Sequence, residues 1–175
     1  MGKGNVDIQR LQAQLHQTTF EFLRLVKSFD KQEINMVPFE KSWSAAQVAD
    51  HVTKSNISIA KALLLEGTPI NREPGERVKE LKEVFLDFST RFKSPSFILP
   101  TQDIYEKEIV VSKLESSIEK IKELAGKTDL TEMINHPAFG DITKLEILHF
   151  VLYHTKRHAH QLENIFRALT KIKSS

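Results

Sequence analysis

The sequence predicts an all-α protein, a helical bundle, on three observations. Apolar residues return every three to four positions along several long stretches, which is the period of one buried helix face. No pair of strand-like runs flanks a tight Asn-Gly or Asp-Gly turn. No internal repeat at a period of about 20 to 50 residues and no low-complexity tract points to another architecture.

Taken in order, Ile8, Leu11, Leu15, Phe22 and Val26 mark a first helix over about residues 5 to 28. The stretch SFDKQEINMVPFEKS loses the period and carries Pro38, so it reads as a loop ending at Trp43. Ser44 and Gln47 match a capping box at the head of a second helix, whose buried face is Ala45, Val48, Val52, Ile59 and Leu63. Gly67, Pro69, Pro74 and Gly75 break the pattern. A third helix opens near Glu76, with Val78, Leu81, Phe85, Phe88 and Phe92 as its stripe, and ends near Ser94. The segment SPSFILPTQDIYEKE is read as a long connection or short edge element. Val111, Leu114, Ile118, Ile121 and Leu124 define a fourth helix that stops at Gly126, with Ser112 and Glu115 as its cap. After a loop with His136, Pro137 and Gly140, Thr143 and Glu146 cap a long last helix running to about Leu169.

The chain of 175 residues suits a single domain with a real core, residues 1–175, and its 40% hydrophobic and 27% charged content is that of a folded protein. A net charge of +2 is too small for the electrostatic footprint of a nucleic-acid or anionic-membrane binder, so neither partner is expected. With no export signal and no long apolar run, a cytoplasmic location is expected. The absence of cysteine excludes disulfides, thiol nucleophiles and Cys-ligated zinc, leaving His, Asp and Glu as the only strong metal ligands.

Four of the seven histidines, His149, His154, His158 and His160, cluster in the last helix. Residues four apart share a helix face with Cβ atoms roughly 5 to 6 Å apart, so His154 and His158 form a chelating pair. The apolar stripe Leu148, Val151, Thr155, Leu162, Ile165 and Leu169 passes through His158 and beside His154, which turns both rings inward. His149 points elsewhere, and His160 lies with Lys156 and Glu163 on the polar side, toward solvent. On the second helix His51 sits inside the apolar stripe between Val48, Val52 and Ser55. Three inward imidazoles from two helices can converge on one divalent ion, or can be core histidines satisfied by neighbours. His154 is followed by Thr155 and Lys156 rather than by Glu, so the general base of an HExxH peptidase is missing.

The segments WSAAQVADHV (43–52) and HPAFGDITKLEILHFVLYHTKRHAHQLENI (136–165) together resemble the DinB-like superfamily, in particular the branch with an HPxFG loop ahead of an HxxxHxxQ last helix. The resemblance covers most of the chain. It implies a four-helix bundle in an up-down-down-up arrangement with additional loops or short helices. It also implies a divalent metal ion, zinc or nickel foremost, held by His51, His154 and His158, with Gln161 three residues beyond the last ligand. Where many relatives read His-Arg-Gly-Gln, this chain has His158-Ala159-His160-Gln161, a departure outside the ligand set.

For activity the resemblance implies a metal-dependent enzyme on a small-molecule substrate: a thiol S-transferase with a low-molecular-weight thiol as co-substrate, or a hydrolase. A homodimer is the family habit. The rival expectation is a non-catalytic dimeric binding or stress-response protein with a structural or vestigial metal site. Around the proposed ligands, Gln47 and Ser55 are candidates to orient His51, Tyr153 to donate a hydrogen bond, His136 to close a loop over the metal mouth, and Trp43 to pack under the start of the second helix.

Overall fold

A computed structural model describes residues 3–173, with five helices and one hairpin in the order α1 (Lys3–Ser28), α2 (Ala45–Leu63), α3 (Val78–Leu86), α4 (Lys107–Ala125), β1 (Met133–His136), β2 (Gly140–Thr143) and α5 (Lys144–Lys173). The long helices bury their stripes against one another in two core clusters. One joins Leu11 and Leu15 of α1, the end of α2 (Ile59 to Leu63), the end of α4 (Ile121 to Ala125) and the first half of α5. The other joins Phe22 and Val26, the start of α2 (Ala45 to Val52), the start of α4 (Val110 to Ile118) and Leu162, Ile165 and Leu169 near the end of α5. These memberships fix the directions of α1, α2, α4 and α5 as up, down, down and up. The four helices close a ring in which α5 lies between α1 and α2, and α4 between α2 and α1.

The two capping boxes read from the sequence are formed. At α2 the Gln47 N–H donates to Ser44 Oγ at 3.3 Å while the Ser44 N–H donates to Gln47 Oε1 at 3.0 Å. At α5 the Glu146 N–H donates to Thr143 Oγ1 at 3.1 Å and the Thr143 N–H to Glu146 Oε2 at 2.9 Å. Glu146 is fully buried, and its second demand for charge is met by a two-pronged pairing with Arg72 at 2.6 and 2.8 Å and by the Arg77 N–H at 2.8 Å.

Three expectations are corrected. First, α3 stops at Leu86, not near Ser94. Asp87 turns the chain by accepting from the Ser89 N–H and from the Ser89 and Thr90 hydroxyls, and Arg157 of α5 donates to the carbonyls of Phe85, Asp87 and Thr90. Phe88 and Phe92 therefore leave the helical stripe: Phe88 stacks on His160 at 4.3 Å, and Phe92 lies under the Arg157 guanidinium at 4.8 Å. Second, α4 begins at Lys107, with Glu106 as its N-cap and no side-chain cap. Ser112 and Glu115 lie inside the helix, and Val110 rather than Val111 heads the buried stripe.

Third, a two-stranded antiparallel hairpin precedes α5. Its turn is three residues long with Gly140 at φ +64°, so a search for two-residue turns passes it by. Ile134 and Ile142 pair on its buried face, whereas on its exposed face Asn135 donates to Asp141 at 2.8 Å. The hairpin is tied to the α2–α3 connection by paired backbone bonds between Thr68 and Met133, each 2.9 Å. Among the described residues no helix is long and apolar enough to cross a membrane.

Candidate metal centre

His51 is carried by the second turn of α2, where the capping box sets the helix start and the stripe Val48–Val52 turns the imidazole into the bundle. His154 and His158 reach the same place from α5, one turn apart, because Val151, Thr155 and Leu162 on the same face are buried. All three rings are buried. The His51 and His154 Nε2 atoms approach to 3.1 Å, as do those of His154 and His158. One ligand atom from each of the three lies within 4.8 Å of the others, and this is the only such cluster among the described residues.

Hydrogen bonds on the far side of two rings fix which nitrogen faces the cluster. His51 Nδ1–H donates to the Ile98 carbonyl at 2.9 Å, and His158 Nδ1–H donates to Gln161 Oε1 at 2.8 Å. Each neutral ring therefore turns an Nε2 lone pair inward. His154 can present a proton to only one of them, so at least one of the 3.1 Å approaches leaves an Nε2 lone pair with no proton to accept. A cation removes the conflict. Two nitrogens bound to one tetrahedral zinc at about 2.0–2.1 Å are roughly 3.3 Å apart, close to the spacing found. The donor set thus fits a divalent ion that accepts imidazole.

Electrostatics favours the same state. Burial holds the His51 imidazole below its ordinary range against the pull of the Ile98 carbonyl. Burial, with the neighbouring histidines adding to it, holds His154 well below that range, and burial lowers His158 to about 3. Neutral imidazole is the form that binds metal.

The acceptor for His51 belongs to a 3-10 turn, Ser96–Ile98, held against α2 by Lys54. Its ammonium donates to the Leu99 carbonyl at 2.7 Å and pairs with Asp50 at 2.8 Å, and Asp50 also accepts from the Tyr105 hydroxyl at 2.9 Å. Sequence reading missed Ile98 because a backbone carbonyl leaves no residue-type signal. Gln161 was visible only as the tail of the HxxxHxxQ pattern.

The remaining candidates divide. Trp43 packs its ring 5.0 Å from that of His51, and Phe150 lies 4.9 Å from His154, so aromatic walls flank the cluster. Ser55 lines the cleft, but Gln47 does not orient His51: its amide serves the cap and donates to the Gln102 carbonyl. Tyr153 is packed in the core. His149 turns away, its Nδ1–H donating to Leu145 O at 3.1 Å. His160 is not a solvent residue, since its stacking on Phe88 makes it part of the cleft wall.

His136 also lines the cleft, beside Phe139. It accepts the Ala138 N–H on Nδ1 at 3.1 Å, so its neutral ring carries the proton on Nε2, a buried atom with no partner. The cleft holds about 600 Å³, is open to solvent, and is lined by all three clustered histidines.

Comparison with known proteins agrees with this architecture. The profile of the DinB superfamily matches residues 14–162. An uncharacterized protein of Bacillus subtilis (strain 168), YuaE, is 26% identical over 151 residues, 80% of this chain and 87% of its own. The fold is similar to that of TT2238, a four-helix bundle protein, with a TM-score of 0.58 at 19% identity over 90% of this chain and 98% of that one. It is similar also to YfiT from Bacillus subtilis, described as a probable metal-dependent hydrolase with an unusual four-helix bundle topology. That TM-score is 0.61 at 14% identity over 97% of this chain and 90% of YfiT.

Proposed function

The chain belongs to the DinB superfamily, and from that premise we propose that it is a metal-dependent enzyme acting on a small molecule, with His51, His154 and His158 as the ligands of one divalent ion. The observation that carries this reading is the solvent-open cleft directly over the three histidines. A structural site is closed by its protein ligands, whereas three ligands beside an open cavity leave a fourth position for water or substrate. YfiT, with a similar fold, is described as a probable metal-dependent hydrolase, which supports the same direction.

An ion on these imidazoles, zinc or nickel foremost, supplies Lewis acidity, lowering the pKa of a water or a low-molecular-weight thiol at neutral pH. The chain's own part is to hold the lone pairs inward through Ile98 and Gln161 and to flank the rings with the apolar walls of Trp43, Phe85 and Phe150. Among the described residues no Asp or Glu lines the cleft, so none of their carboxylates stands ready as a general base. The chemistry that fits best is one whose nucleophile needs only a Lewis acid for activation: thiol transfer or hydrolysis of an activated bond, not peptide cleavage.

The test is elemental analysis of untagged protein after exposure to zinc or nickel. Wild type is expected to retain about one ion per chain and His154→Ala almost none, with helical circular dichroism preserved in both. Equal metal content in the two proteins would overturn the assignment.

A further inference from the structure

The cleft walls carry information about what enters. Six large exposed phenylalanines occur among the described residues, and four of them, Phe39, Phe88, Phe92 and Phe97, line this one cleft at 45% to 52% exposure. Trp43 adds a fifth aromatic surface beside the histidines. Aromatic area left in water costs free energy unless something covers it, and planar apolar ligands cover it well.

Charge on the same walls is of one sign. The cleft is lined by Lys41, Arg91, Lys93 and Arg157 and, among the described residues, by no carboxylate. The chain as a whole has 25 basic and 23 acidic residues, so net composition does not account for this segregation. Arg91 and Lys93 make no ion pair among the described residues, and Lys41 has only a loose, exposed contact with Glu40 at 3.9 Å. Arg157 is different, for its guanidinium is engaged by backbone carbonyls and by Phe92. The free positive charge of the rim therefore resides on Arg91, Lys93 and Lys41. His136 adds an unpartnered N–H donor on the same cleft, with no acceptor supplied by the protein.

We infer that this cleft selects a small organic anion with a planar apolar body, its body against the phenylalanines and its negative group toward Arg91 and Lys93. This deepens the reading of a catalytic cleft and rests on it for calling the ligand a substrate. The selection itself is a property of the rim, where opposite charges favour the anion over a neutral isostere by about ten-fold.

The experiment titrates 2-naphthoate, 2-naphthamide and 2-naphthylmethylammonium by calorimetry into metal-loaded and metal-stripped protein. In wild type the acid is expected to bind about ten-fold tighter than the amide in both forms, with the ammonium weakest. The Arg91→Ala/Lys93→Ala protein should keep its metal uptake and its amide affinity while losing most of the preference for the acid. Both side chains are exposed and neither belongs to the histidine cluster, so folding is not at issue. Equal binding of acid and amide by wild type, a preference that appears only with metal bound, or a preference unchanged in the double variant would each overturn the inference. A wild type that takes up no metal yet still prefers the acid would overturn the metal assignment and leave this selection standing.

Discussion

His158 donates its Nδ1–H to Gln161 Oε1 at 2.8 Å, one turn further along α5. The bond decides the tautomer of the ring, and with it the direction of the Nε2 lone pair. In Gln161→Leu the ring is free to rotate or to move its proton. Metal affinity, read by competition with a chromophoric chelator, is expected to fall about 10- to 100-fold with helicity unchanged. Wild-type affinity in that variant would show that the bond does not tune the site.

Stability of the metal-free protein should decline on acidification in two windows. Unfolded imidazoles take up protons near pH 6.5, whereas burial keeps His51, His136, His154 and His158 neutral to lower pH, His158 to about 3. Between those limits the unfolded chain binds more protons, so stability falls as the pH falls. Glu146 acts lower down. Burial alone would raise its carboxyl, but the bonds from Arg72, Thr143 and Arg77 outweigh it and hold it below 4.5, so its contribution is present above that value and is lost below. Urea midpoints should therefore drop steadily from about pH 6.5 and further below about pH 4.5. A flat midpoint between pH 6.5 and 5 would contradict the histidine part.

Arg72→Ala leaves the fully buried Glu146 with only backbone donors. Breaking a buried pair from one side costs about 3 kcal/mol, and the urea midpoint is expected to fall accordingly. Restoring the wild-type midpoint in Arg72→Ala by the second change Glu146→Gln, even in part, would identify the stranded charge as the cause. A loss below about 0.5 kcal/mol would mean that the two backbone N–H groups suffice.

Arg157→Ala removes three donations to carbonyls of the segment after α3 and the contact with Phe92. Amide hydrogen exchange over residues 85–93 should accelerate, while metal uptake stays as in wild type. Arg157→Lys is expected to restore little, because an ammonium cannot span three acceptors as the planar fork does. Unchanged exchange in the Ala variant would show that stacking of Phe88 on His160 holds the segment alone.

The helical stripes were legible because they record burial, and burial is what holds the bundle together: all six positions read as the inward face of the last helix, Leu148 to Leu169, are buried. The same periodicity placed His51, His154 and His158 inside, and the structure brings their Nε2 atoms together. It failed where one or two polar side chains outweigh the period. Phe88 and Phe92 continue the spacing of α3, yet Asp87 and Arg157 end that helix first. The hairpin was missed because its pattern is only four residues per strand and its turn relies on Gly140 rather than on an Asn-Gly pair. The partner of His51 was not readable at all, since any residue at position 98 carries the same carbonyl.

Because α2 and α4 run the same way, the chain must travel back along the bundle between them, and helices of 19 residues, roughly 28 Å long, are too long for a tight turn to bridge. That obligatory return path is also the material from which Arg91, Lys93 and three of the four exposed cleft phenylalanines, Phe88, Phe92 and Phe97, are drawn. Its α3 part, with Leu81 in the first core cluster, belongs to the packed interior, whereas the exposed residues from Phe88 to Phe97 do not. Exchanging those exposed residues would change what the protein accepts while leaving both core clusters intact, so one connection holds a part that keeps the molecule folded beside a part that chooses its ligand.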